Sequence, residues 1–220
     1  MIGFGRVATG MAAAVLVMVA ACGGGEGGDG ASSSSPPSAV AIPTIAQLQA
    51  ALITPADVDR DLTIQSEDPA VGVIEFCSAA SQASKDAAAA LAFQAGTHLE
   101  TETESGAVHV TEFLLAEGPD TVAATFDALR AGAEACYGQP FVPGGEGFTS
   151  DPYELPALGD QRVGEYHVMP GAYLHMAVVR DGPILMLLDV FEFTGDVAQD
   201  PAVTADEVTN IVTTAVGTLP

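Results

Sequence analysis

Tryptophan is absent from the chain, lysine occurs once, at Lys85, and only 6 of the 220 residues are basic. Against 29 acidic residues this gives a formal charge of −23. A surface of that sign repels phosphate backbones, so nucleic acid is excluded as a partner. Electrostatic attachment to anionic lipid is excluded for the same reason, and no basic amphipathic stretch offsets it. Apolar runs long enough to span a bilayer are missing too. The clearest run, residues 11–20 (MAAAVLVMVA), has ten residues, where a spanning helix needs about 20. Cysteine is scarce at three, with no C-x-x-C pair, and two or three cysteines alone do not complete a zinc site. G-x-S-x-G, H-E-x-x-H and the phosphate-cradling G-x-x-x-x-G-K-[ST] are all absent, which removes the usual signatures of serine, zinc and nucleotide chemistry.

The ten-residue run has a different use. Preceded by Arg6 and followed by Val19-Ala20-Ala21-Cys22, it reads as an export signal over residues 1–21. Small residues before a cysteine fit a narrow peptidase cleft, and the Cys22 thiol can accept a diacylglyceryl group. This resembles the bacterial lipobox, with Val19 where Leu is commoner. Plain secretory cleavage with Cys22 incidental is the rival. Acylation would bury tens of CH₂ groups at about 0.8 kcal/mol each, past the threshold for stable anchoring. Residues 22–40 then form a Gly/Ser/Pro tether (GGGEGGDGASSSSPPS at its heart) with little to bury. Its reach is roughly 20–25 Å. Removal of the signal, and Arg6 with it, leaves 5 basic against 29 acidic residues, a formal −24. The chain is thus expected on the outer face of the cell membrane, with its lipid anchor as the membrane partner.

In an exported domain the remaining pair, Cys77 and Cys136, reads as a disulfide. Closing a loop of about 60 residues stabilises by roughly 4 kcal/mol in the chain-entropy model. A metal or redox pair is the alternative.

Residues 41–220 read as one folded domain. Thr44 caps a short helix with Ile45, Leu48 and Leu52 on one face, and Thr54-Pro55-Ala56-Asp57 looks like a second helix start. Residues 78–93 are alanine-rich and helical by propensity. Residues 107–116 (AVHVTEFLLA) read as a strand. From Gly118-Pro119-Asp120 a helix carries Val122, Phe126, Leu129, Ala133 and Cys136 on one stripe. A Gly/Pro-rich loop spans 138–156. Residues 173–193 form two apolar runs about Arg180-Asp181-Gly182-Pro183. Asp-Gly favours a tight turn, but Pro183 lacks an N–H, so a looser connection is expected, with Val179 near Ile184. In that hairpin Tyr173, His175, Ala177 and Val179 share a face with Val190, Leu188, Met186 and Ile184. Both faces are apolar, so either the hairpin is covered on both sides or one side lines a cavity. Thr204-x-x-Glu207 boxes the last helix, whose stripe is Val208, Ile211, Val212, Ala215 and Leu219. The order of elements predicts an α+β fold, an antiparallel sheet with helices mainly on one face.

Candidate sites are few. Asp57-x-Asp59-x-Asp61 begins like a calcium loop, but Leu62 stands where the turn needs Gly and Asp68 replaces the bidentate Glu. A solvated helix start accounts for it better. His98, His109, His167 and His175 have no metal-like local spacing. His109 and His175 lie in expected strands and are candidates, with Tyr173, to line one interior. No metal or other cofactor is expected.

The ordered set Leu52-Ile53-Thr54-Pro55-Ala56-Asp57-Val58, Phe76-Cys77 before an alanine-rich helix, a helix ending at Cys136, Leu158-Gly159-Asp160, and Val178-Val179-Arg180-Asp181-Gly182 resembles the PknH-like extracellular sensor domain. That family occurs on mycobacterial receptor kinases and on actinobacterial lipoproteins. The kinase version has four cysteines and a tryptophan near the last; here two cysteines and no tryptophan match. The resemblance implies an α+β fold with a groove and a small-molecule, lipid or protein ligand. The expected function is that of a non-catalytic, membrane-anchored lipoprotein that binds or senses a cell-envelope ligand. A lipid or glycolipid carrier, or an accessory protein for an envelope enzyme or transporter, is the alternative. Radiolabelled palmitate is expected to enter the protein at Cys22 and to be lost in Cys22→Ala, while native Cys77 and Cys136 resist maleimide.

Overall fold

The computed structural model describes residues 40–67, 74–103, 106–140, 149–194 and 201–220. The signal, Cys22, nearly all of the tether and Asp68 lie outside them.

Seven antiparallel strands form one sheet: β1 (Thr63–Ser66), β2 (Ala95–Thr103), β3 (Gly106–Ala116), β4 (Thr149–Pro152), β5 (Gln161–Met169), β6 (Ala172–Asp181) and β7 (Ile184–Phe193), in the order β1-β2-β3-β7-β6-β5-β4. Two meanders therefore meet where β3 pairs with β7. The helices are α1 (Ile45–Ala51), α2 (Gln82–Ala89), α3 (Pro119–Cys136) and α4 (Ala205–Gly217). The α+β class, the antiparallel sheet and the single disulfide follow expectation. The placing of helices mainly on one face does not. Leu48 and Ala51 of α1 and Val208, Ile211, Val212 and Ala215 of α4 pack on Val110, Leu114, Met186, Leu188 and Val190. Ala88 of α2 and Val122, Phe126 and Leu129 of α3 pack on Phe113, Leu115, Val178, Leu185 and Leu187. Both faces of β7 are apolar, so each requires cover, and the helices divide two and two. The β6–β7 hairpin is accordingly covered on both faces.

Local chemistry explains the elements. Thr44 and Gln47 form a capping box on α1. The start expected at Thr54 yields only a 3₁₀ turn, Pro55–Asp57, in which the Asp57 carboxylate accepts from the Thr54 backbone N–H at 2.8 Å. The alanine-rich segment is helical over α2 alone, where Ser81 accepts from the Ser84 N–H at 3.1 Å. Thr204 caps α4, its Oγ1 accepting from the Glu207 N–H at 3.2 Å. The Glu207 carboxylate leaves that box and binds Arg60, with one guanidinium nitrogen at 2.9 Å. Cys77 and Cys136 are joined, Cα to Cα 5.6 Å, beneath Ala80 and Phe76.

The hairpin turn is tighter than expected. Asp181 pairs with Ile184 and Val179 with Met186, which leaves Gly182-Pro183 as a two-residue loop. The shift from the expected register is by two residues, so the expected faces are kept. A two-residue loop is closed by the N–H of the residue after it, here Ile184, so the missing N–H of Pro183 costs nothing. Gly182 supplies the positive φ, +54°. Its N–H donates to Asp160 Oδ2 at 3.0 Å, and the Asp160 N–H donates to the Arg180 carbonyl at 2.8 Å. The Leu158-Gly159-Asp160 and Arg180-Asp181-Gly182 segments thus clasp each other. Gly159 sits at φ +56°, and a Cβ there would lie 2.5 Å from the Arg180 carbonyl oxygen. Gly159→Ala is expected to lower stability by more than about 1 kcal/mol in urea unfolding.

Candidate functional site

Strand register places ionisable side chains in two adjacent ladder rows, spaced by apolar or hydroxyl residues, on the sheet face that α2 and α3 only partly cover. One ladder row runs Glu165, Met176, Asp189, Thr111, His98 across β5, β6, β7, β3 and β2. The next runs His167, Leu174, Phe191, His109, Glu100. Neighbours along a row stand about 4.8 Å apart. Closer to the hairpin turn the same face is apolar, with Val178, Leu185, Leu187, Phe113 and Leu115 under the helices.

At the β2–β3 end, His98, Glu100 and His109 form a cluster whose candidate ligand atoms all lie within 4.8 Å of one another. His98 Nε2 and His109 Nδ1 are 3.2 Å apart. The Glu100 carboxylate oxygens stand 4.0 Å from His98 Nε2 and 3.9 Å from His109 Nε2. His98 Nδ1 is 2.9 Å from Thr111 Oγ1, and the Phe191 ring meets His109 edge-on at 5.9 Å. Burial, and then the His109 ring, lower the His98 pKa.

At the β5–β7 end the rows are more enclosed, with Glu165 and His167 buried and Asp189 half-buried. Glu165 is buried and accepts from Ser150 Oγ at 2.8 Å; burial raises its pKa. Asp189 Oδ1 is sealed from solvent with no hydrogen-bond partner. Burial, with the Glu165 charge second, pushes its pKa up to about 7. Burial lowers that of His167. Carboxyl and imidazole groups gathered and shifted in this way make the face a candidate surface.

The opposite face explains the other expected residues. Tyr173 and His175 are on the α1/α4 side, opposite Glu192 and Val190. His109 is on the α2/α3 side, so the expectation that these three line one interior is corrected. His109 and His175 sit on strands β3 and β6 at positions whose side chains point through opposite faces of the sheet. His175 is packed between Tyr153 and Tyr166, at 5.1 and 4.5 Å between ring centres, and burial drives its pKa down to about 4. It is a neutral core histidine. Glu192 is buried and accepts from the Ala202 and Val203 N–H groups at 2.8 and 2.9 Å, fixing the entry into α4. The Glu112 Oε2 accepts from the Ile53 N–H at 2.7 Å while its Oε1 lacks a partner. Burial pushes that group up to about 8.

Asp57 and Asp59 line a cleft of about 420 Å³ with Arg60, Thr204, Asp206 and Glu207. The Arg60 guanidinium occupies its acidic wall through Glu207, which opposes a cation there. Sequence reasoning missed His98, Glu100, Glu165 and Asp189 as a set. A signal existed: Thr97-His98-Leu99-Glu100-Thr101 alternates like a strand, and Glu100 and His109 are mirror positions about residues 104–105. Among the described residues no helix is long and apolar enough to cross a membrane. Comparison with protein-family models and with curated proteins finds no match to the chain.

Glu112 and Asp189 hold protons when folded at a pH where their unfolded forms are ionised. Unfolding therefore releases protons, and stability falls as pH rises, through about 8 for Glu112 and about 7 for Asp189. Glu112→Gln is expected to reduce the loss of the urea midpoint between about pH 5 and about pH 9; an undiminished loss would contradict the assignment.

Proposed function

We propose that the chain is a non-catalytic, lipid-anchored binding or sensing protein on the outer face of the cell membrane. The observation that carries this reading is the row of ionisable side chains on the α2/α3 face. Folding favours apolar residues at half-buried ladder positions, and burying carboxyl groups such as Glu165 and Asp189 costs stability unless a use offsets it. The lipobox at Cys22, the Gly/Ser tether and the Cys77–Cys136 disulfide support an exported, tethered setting. The resemblance to PknH-like sensor domains agrees in the order of its motifs, two of which clasp each other at Asp160 and Gly182. The ligand chemistry favoured is small and polar or cationic. A hairpin packed on both faces supports this over a lipid carrier, which needs a large dry cavity.

The test uses full-length protein in detergent, incubated with fractions of envelope extract and followed by thermal shift and mass spectrometry. A retained component is expected to raise the melting temperature of the wild type and to leave Asp189→Asn, Glu165→Gln unmoved. Equal shifts in both proteins would place binding elsewhere, and catalytic turnover without a retained component would replace binding by enzymology.

A further inference from the structure

The geometry points to His98, Glu100 and His109 as a site for one divalent transition-metal ion of the zinc type. This deepens the reading of the α2/α3 face as a binding surface by naming a ligand for its β2–β3 end. It does not depend on acylation of Cys22.

The donor set comes from two strands of one hairpin. His98 and Glu100 are alternate residues of β2, and His109 is the direct partner of Glu100 on β3. Alternation puts all three on the same face, so the register itself assembles the cluster. Two imidazoles and a carboxylate form a donor set that zinc and its neighbours take in sites with an open position. The separations suit such an ion. With metal–nitrogen bonds of about 2.0–2.1 Å and tetrahedral angles, ligand atoms stand about 3.3 Å apart. His98 Nε2 and His109 Nδ1 are already 3.2 Å apart. A Glu100 carboxylate oxygen stands 4.0 Å from His98 Nε2, and one ligand atom of each of the three residues lies within 4.8 Å of the others, a gap that rotation of the flexible Glu100 side chain closes.

The surroundings prepare the ligands. Thr111 Oγ1, at 2.9 Å, engages Nδ1 of His98 and leaves Nε2 facing His109 and Glu100. A hydroxyl or carbonyl in that position orients a ligating imidazole and selects its tautomer. Phe191 walls one side of His109. The three side chains are 24–32% exposed, so an ion and a water molecule reach them from solvent. The strongly acidic chain raises the local concentration of cations. Imidazole donors, in turn, select against magnesium and calcium, which prefer all-oxygen sites.

The full chain in detergent, stripped with chelator, is titrated with zinc chloride in excess magnesium against a chromophoric chelator. One zinc per chain is expected, and cobalt(II) at the same site should give the visible absorption of tetrahedral nitrogen and oxygen ligation. His98→Ala, His109→Ala and Glu100→Gln should each lose the tight equivalent, with far-ultraviolet circular dichroism and metal-free melting unchanged. Thr111→Val should weaken binding roughly tenfold. Imidazole resonances of the wild type provide a reading free of variants: zinc should shift two histidines and leave the two of His167 and His175 in place. Zinc uptake no greater than the magnesium background, the same stoichiometry and affinity in the triad variants, or shifts at His167 and His175 would each overturn the inference. If zinc fails while envelope fractions still give a shift that depends on Asp189 and Glu165, the metal site falls and the binding reading stands. If zinc binds the triad while those fractions act equally on both proteins, the binding reading falls and the metal site stands.

Discussion

Strands β3, β7 and β6 lose water on both faces, and the rest of the molecule is arranged to allow it. Leu185 and Leu187 project towards α3, and Ile184, Met186, Leu188 and Val190 project towards α4 and α1. Each aliphatic side chain buried in this way contributes about 1.5–3 kcal/mol. Neither face can stay wet, so the helices divide between them. The two meanders join at β3 and β7, which puts the most apolar strands at the centre and the short strands β1 and β4 at the edges. The disulfide then holds the end of α3 to the segment before α2 on the same side of the sheet.

Polar groups inside this frame differ in how well they are satisfied. Glu192 has two backbone donors and serves the entry to α4. Glu112 has one backbone donor, from Ile53, and a bare second oxygen. Asp189 has a sealed oxygen with none, beside the charge of Glu165. That gradient separates carboxylates used as mortar from those that the fold tolerates at a cost. Asp189 and Glu165 share one row on the α2/α3 face, which reaches His98 beyond Thr111, while Glu112 stands on the opposite face, beside Leu188. A protein with so few basic groups has little with which to neutralise such a row internally: Arg60 is taken by Glu207 and Arg180 by Asp160.

Much of the frame was legible in the residues. The stripe from Val122 to Cys136, the strand at 107–116, the capped last helix, the shared faces of the 173–193 hairpin and the pairing of Cys77 with Cys136 all follow from local periodicity and from cysteine arithmetic. These are properties of neighbours along the chain, which spacing and propensity report directly. Strand β5 and the short strands β1 and β4 were not legible, because their polar, half-exposed residues lack an apolar pattern, and β2 carried only the brief alternation of Thr97–Thr101. The division of helices between two faces, the opposite placing of His109 and His175, and the meeting of His98 with Glu100 and His109 were decided by strand order and register. Those are set by which surfaces bury one another across long separations in sequence, and a one-residue change in register would turn every one of these side chains to the other face.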